Sequence, residues 1–323
     1  MSQKPSKNSV LLIFVAFTVT IAVIFATSSW DLYSTIATGS LFSKGDSCLL
    51  GLSNGHWELA TDGCPAPRKG ELSSCNNLHT QYPRQWAWDS NEVSQCVPNR
   101  LVQKDVARLL RNKRVALVGD SHLRKLFNYL GEFLEDENIT EAPTKDKKEH
   151  KDFVWNVKKT KTSVEFYWRA EIRSTASLLH DFLEKKKAPD LLVMDPSAHQ
   201  AKWARNFTEF RGEIPRLIEL IERYDQEFGR TKPMFWLISP PFKEPFTKDD
   251  EMVSWMYSLK KFNAVLIEAG FLAPRGPVYP IDLYSMAQGC MDWCYRDGTH
   301  VVETFNTLLW QILTGAYKHI ITT

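Results

Sequence analysis

Two short stretches carry the residue types of a nucleophile and its base: Gly119-Asp120-Ser121, and Asp297-Gly298-Thr299-His300. Ser121 follows an apolar run, Arg114 to Val118, and precedes a segment with Leu123, Leu126, Phe127 and Leu130 at helical spacing. A serine between the end of a strand and the start of a helix exposes its hydroxyl beside unpaired backbone N–H groups, which can meet a developing oxyanion. Gly119 permits a tight backbone there. The plainer alternative is that Ser121 is an ordinary helix cap and Asp120 a turn residue. His300 sits just before the last helical segment. An aspartate three residues ahead, Asp297, can orient such a ring and stabilise its charged form, with Asp292 as a rival. His122 adjoins Ser121 but is free to point elsewhere, and His180 and His319 look ordinary. The chemistry implied is transfer or removal of an ester-linked acyl group through a serine. A Gly-x-Ser-x-Gly elbow and a phosphate-binding Gly-x-x-x-x-Gly-Lys loop are both absent, and no metal or bound cofactor is expected.

These residues need a frame. The patterns predict a short helix over 102–110, a strand over 114–118, a helix over 122–134, a strand over 164–168 and a helix over 176–184. Beyond these come a strand over 191–195, a helix over 213–228, a strand over 234–239 ended by Pro240-Pro241, a helix over 255–269, a strand over 278–283 and a last helix over 301–317. Short apolar strands alternating with helices imply an α/β fold with a mainly parallel sheet. Ligand sites in such sheets lie beyond the carboxyl ends of the strands, which puts Ser121, Asp195 and Ser239 near one edge. Residues 141–152 read as a charged, solvated loop. Residues 46–100 are rich in Cys, Gly, Pro and Asn, and are expected to form a disulfide-held segment packed on the larger part, residues 101–323.

Residues 10–27 carry no charge and are mostly apolar. Eighteen residues of helix rise roughly 27 Å, just short of the hydrocarbon thickness of a bilayer. The expectation is a cytoplasmic tail over 1–9, a lipid-embedded transmembrane anchor over 10–27 and a stem over 28–45, with a cleaved signal peptide as the alternative. Lys4 and Lys7 precede the run, which predicts a type II protein of the secretory pathway, in the Golgi with its bulk lumenal, or else a secreted protein. Without those two lysines the 40 basic residues balance the 38 acidic ones, which argues against a nucleic-acid-binding surface. Cys48, Cys64, Cys75, Cys96, Cys290 and Cys294 are an even set and are candidates for disulfides in any of fifteen pairings. Asn138 and Asn206 head glycosylation sequons.

Gly119-Asp120-Ser121-His122-Leu123-Arg124 together with the late Asp-x-x-His resembles the PC-esterase branch of the SGNH hydrolase superfamily. Gly55-His56-Trp57, the early cysteines, and Gln85-Trp86-Ala87-Trp88 ending in Cys96 follow the motif order of its trichome-birefringence-like members, which are polysaccharide O-acetyltransferases; a sialic-acid O-acetyltransferase belongs to the same branch. The resemblance covers roughly residues 46–317. It implies a three-layer SGNH-hydrolase-like catalytic domain over 101–323, with Ser121 as nucleophile, His300 as base, Asp297 as its partner and Arg124 near the oxyanion or acyl pocket. The chain departs from the pattern at Asp195, which occupies a slot where the family has an asparagine donor. An ionised carboxylate cannot donate, which leaves Ser197 or His199 for that role. Trp293-Cys294 also precedes the Asp-x-x-His motif, where the plant members have Trp-Cys after it. The resemblance implies an O-acyltransferase, acetyl foremost, that moves its group from an unidentified acyl donor to a glycan or other hydroxylated acceptor. The alternatives are an esterase with the same residues, and an inactive glycan-binding scaffold with Trp203, Trp255 or Trp293 as stacking surfaces.

Overall fold

The computed structural model describes residues 47–59, 71–73, 75–76, 84–98, 100–135, 150–202, 207–243, 250–273, 276–290, 293–295, 299–301 and 303–323, all within a unit spanning Leu41–Thr323. It begins with helix α1 (Ser47–Leu50), strands β1 (Gly55–Leu59), β2 (Glu71–Ser73), β3 (Cys75–Asn76) and β4 (Arg84–Trp88), and helix α2 (Asn91–Cys96). β4 lies between β1 and β3, antiparallel to both. Strand β5 (Arg100–Val102) pairs with β2, and helix α3 (Gln103–Leu109) leads into the main sheet.

The remaining elements are β6 (Arg114–Gly119), α4 (Ser121–Leu134), β7 (Phe153–Val157), β8 (Thr162–Trp168), α5 (Ile172–Glu184), β9 (Leu191–Asp195), α6 (Ser197–Lys202), α7 (Phe207–Phe228), β10 (Met234–Ile238), α8 (Asp250–Glu268), β11 (Tyr279–Asp282), α9 (Leu283–Gln288) and α10 (Glu303–Thr322). Six strands form one sheet in the order β11-β10-β9-β6-β8-β7. Every neighbouring pair is parallel except β7 with β8 at the edge.

The central strands β6, β9 and β10 are mostly apolar because both faces are covered. Successive side chains point to opposite faces. Val115, Leu117, Leu191, Val193, Phe235 and Leu237 pack with α4 and α10, whereas Ala116, Val118, Leu192, Met194, Trp236 and Ile238 pack with α5, α7 and α8. Helix α4 turns one apolar stripe, Leu123, Leu126, Phe127, Leu130 and Leu134, to the first face. The Trp310 indole of α10 donates to the Leu126 carbonyl at 2.9 Å. The N-terminal segment has too little apolar surface for a core of its own. Leu49, Trp86, Val93 and Val97 join the core that Phe305, Leu308 and Ile312 share with α4. Gly315 makes the approach possible, since a Cβ there would lie 3.0 Å from the Val97 Cα.

Two expectations are corrected. A transmembrane helix, with its lipid contacts, membrane topology and Golgi location, is not supported: no helix among the described residues is long and apolar enough to cross a membrane. Residues 10–27 lie outside the described residues. A disulfide-rich N-terminal cluster is not found either. Among the described residues that segment is tied by a single bond, Cys48–Cys96, and a second bond, Cys290–Cys294, lies far along the chain. Cys64 lies outside the described residues, as do Asn138 and Asn206.

Candidate active site

The strand order places the site. From β6 the chain crosses to β8 on one side and then back to β9 on the other, and the connections that leave β6 and β9 go to opposite faces of the sheet; crevices at such reversals are where open α/β sheets bind ligands. Gly119 and Asp195 are register partners there. A Cβ on Gly119 would come within 2.2 Å of the Asp195 carbonyl, so only glycine lets the two strands meet.

Asp120 is the N-cap of α4, and its carboxylate is 2 % exposed. Oδ1 accepts from the His122 N–H at 2.9 Å, and Oδ2 accepts from the His199 N–H at 2.7 Å. One carboxylate thus satisfies donors from two elements, a charge-assisted arrangement. Ser121 follows at the first helical position, half-buried. Its Oγ is 2.9 Å from His300 Nε2, across 179 residues of chain.

His300 is held from several sides. The His122 Nε2–H donates to the Thr299 carbonyl at 3.0 Å, and the two imidazoles meet edge to face at 5.4 Å. Tyr295 and Val301 form an antiparallel bridge around the loop, and Cys290–Cys294 closes its start. Trp57 of β1 donates its indole N–H to the Met286 carbonyl at 3.0 Å and packs edge-on against Trp293 at 4.8 Å. Trp293 is therefore part of a brace around the loop. Asp297 and Asp292 lie outside the described residues, as does Trp203.

Asp195 ends β9 and is wholly buried. Its Oδ1 accepts from the Ser239 hydroxyl and from the Ser197 N–H at 3.1 Å, while Oδ2 has no partner. Burial pushes the carboxyl up to about 8; the charge of Asp120 adds to this, and the bonds from Ser239 and Ser197 oppose it. Burial and the bare Oδ2 thus weigh against the ionised form that the sequence reading gave this side chain. Ser197 is equally buried, and its hydroxyl also lacks a partner. An apolar cleft runs beside these groups, lined by His122, Asp195, His300, Leu126, Leu237 and Phe305 among others.

Arg124 turns its guanidinium over Trp168, 5.8 Å from the ring centre; burial lowers its pKa, against the charge of Asp120. The His199 ring stands edge-on to Trp168 and His150, themselves stacked at 4.1 Å. Burial holds His199 below the ordinary histidine value despite Asp120, with His150 and Lys202 adding to the effect. Arg124 and His199 thus line a wall next to Asp120, while Ser121 and His300 make the direct contact. Trp255 receives the Lys202 ammonium 4.3 Å from its ring. Sequence reasoning passed over Asp120 and His122 as functional residues. Their signal was the cap position of Asp120 and the adjacency of His122 to Ser121; His150 and Trp168 carried none.

No protein-family model matches the chain. Over 321 residues it is 22% identical to Protein ALTERED XYLOGLUCAN 9 of Arabidopsis thaliana, a match that takes in 91% of this chain and 86% of that protein. The relationship is distant: it links the chain, at superfamily level only, to trichome-birefringence-like and PC-esterase proteins and so to acyl transfer or ester hydrolysis as a general chemistry.

Proposed function

We propose that the protein is a serine-dependent O-acyltransferase that moves an acyl group, acetyl foremost, onto a glycan hydroxyl. The observation that carries the reading is the 2.9 Å contact between His300 Nε2 and Ser121 Oγ at the carboxyl edge of the sheet. That distance lies within reach of direct proton transfer. In the first half-reaction Ser121 Oγ attacks the acyl carbon of the donor ester and its proton passes to His300 Nε2. The tetrahedral intermediate collapses, and the leaving alcohol takes the proton from His300. In the second, an acceptor hydroxyl gives its proton to His300 and attacks the acyl-serine; Ser121 recovers the proton as it leaves. Water in place of the glycan makes the same cycle an ester hydrolysis. The Ser121 N–H, in the first turn of α4, lacks an intrahelical acceptor and is a donor for the oxyanion. Asp297 is the partner assigned to His300. The glycan acceptor is supported by the name of the Arabidopsis thaliana relative, which includes xyloglucan.

The test is mass spectrometry of protein quenched during turnover of an activated acetyl ester, with and without xyloglucan oligosaccharides. The expected result is one acetyl group on the Ser121 peptide, discharged faster with acceptor present. Ser121→Ala should lose labelling and turnover while remaining folded. Labelling at another residue, or undiminished turnover in Ser121→Ala, overturns the reading.

A further inference from the structure

Asp195 poses a problem of hydrogen-bond accounting that the dyad leaves unsolved. Its side chain has no exposure, Oδ1 takes two donors, and Oδ2 takes none. An ionised carboxylate with one bare oxygen in a dry site is costly, because desolvation falls on the charge without a compensating bond. The neighbours do not relieve it. Across β6, Asp120 brings a second carboxylate, whose two oxygens are already engaged by backbone N–H groups. From β10 comes the neutral Ser239, whose carbonyl is in turn held by Asn263 of α8. The following helix, α6, contributes the Ser197 N–H and carries His199 and Lys202. In the cleft stand His122, His300 and Lys125, and Oδ2 bonds to none of them. A proton on Oδ2 removes the charge and turns the bare oxygen into a donor. Asp195 lines the same cleft as His300, at the crevice where Ser121 would be acylated.

We propose that Asp195 stands in the resting protein as the neutral acid and donates its Oδ2 proton to the oxyanion formed during acylation of Ser121. The inference rests on the acyl-serine reading above and assigns it a second, side-chain donor. A buried, protonated carboxyl acting this way has precedent in enzyme chemistry. It also sets an alkaline limit. With the acid pushed up to about 8, the donor is present below that pH and lost above it. The sign for stability runs the same way: the unfolded chain ionises near 3.8 while the folded protein resists until about 8, so stability is full at low pH and declines between those values.

The experiment compares wild type, Asp195→Asn and Asp195→Leu from pH 5 to 10. Infrared difference spectra of the resting wild-type protein should show a carboxylic-acid C=O band that disappears as pH passes about 8 and is missing from Asp195→Asn. Acylation by the wild type should fall over the same range. Asp195→Asn, which keeps a donor, should retain near wild-type rates at pH 6 and lose the alkaline fall. Asp195→Leu should be slower than wild type by about a hundredfold below pH 8, with the difference closing above it as the wild type loses its donor. An unchanged alkaline fall in Asp195→Asn, or no acid band in the wild type, overturns the proposal. The band needs only wild-type protein and no turnover, so it decides even where a variant does not fold. Failure of acetyl labelling at Ser121 with the band present sinks the acyl-serine reading instead.

Discussion

The nucleophile turn and the base loop reach the same point by different means. Around Ser121 the chain is regular: a buried strand, a capping aspartate and a helix follow one another without a gap. Around His300 the described residues between α9 and α10 belong to no helix or named strand, and their order is borrowed. A disulfide, the Tyr295–Val301 bridge, the His122 bond to Thr299 and the Trp57 bond to Met286 each supply part of it. The first region is positioned by elements that would form wherever that sequence occurred in a sheet. The second is positioned by partners up to 229 residues away. Damage to the first should therefore cost fold and activity together, and damage to the second should cost activity more than fold.

The largest effect is expected from Asp120→Ala. It leaves two backbone N–H groups of separate elements without an acceptor, at about 3 kcal/mol of stability. Displacing Ser121 should also lower turnover by about a hundredfold or more. Chemical denaturation and steady-state kinetics on one preparation check both, and loss of either alone breaks the comparison. Next comes the pair Cys290→Ala with Cys294→Ala, alanine being chosen to avoid burying hydroxyls. Here kcat should fall about tenfold from a less fixed His300, with a stability loss of about 2 kcal/mol or less for so short a loop. A collapse of stability as deep as that of Asp120→Ala would show that the loop is part of the core. The smallest effect is expected from Trp57→Phe, which keeps the ring contact and removes the indole donor. About 1 kcal/mol is at stake. We expect a kcat lower by a few-fold with KM unchanged; a rise in KM alone would make Trp57 a substrate contact and not a brace.

The legible parts were those with a local code. The apolar run at 114–118 and the stripe from Leu123 onward mark β6 and α4 within a residue or two, because burial on both faces of a strand and on one face of a helix leaves a periodic signature. Boundaries were less legible. The helix read from residue 213 begins at Phe207 and carries Pro215 inside it, since Phe210 and Ile214 bury against the same core as the later turns. The anchor read over 10–27 rested on hydropathy alone and finds no support among the described residues. The cysteines showed that bonds were feasible and left the pairing open, because pairing depends on which loops meet.

By itself the sequence determined a serine between strand and helix and a histidine ahead of the last helix, with Asp120 read as a turn residue that the structure makes the helix cap. Each follows from neighbours a few residues away. That His300 meets Ser121, that Asp120 ties His122 to His199, and that Asp195 is sealed from water beside Ser239 were decided only when β6, β9 and β10 came side by side. The reason is physical. Propensity and capping act within a turn of chain, whereas proton affinity and hydrogen-bond partnership depend on what surrounds a group in space. The same aspartate is an ionised non-donor when read as a letter and an acid pushed up to about 8 when read in its place.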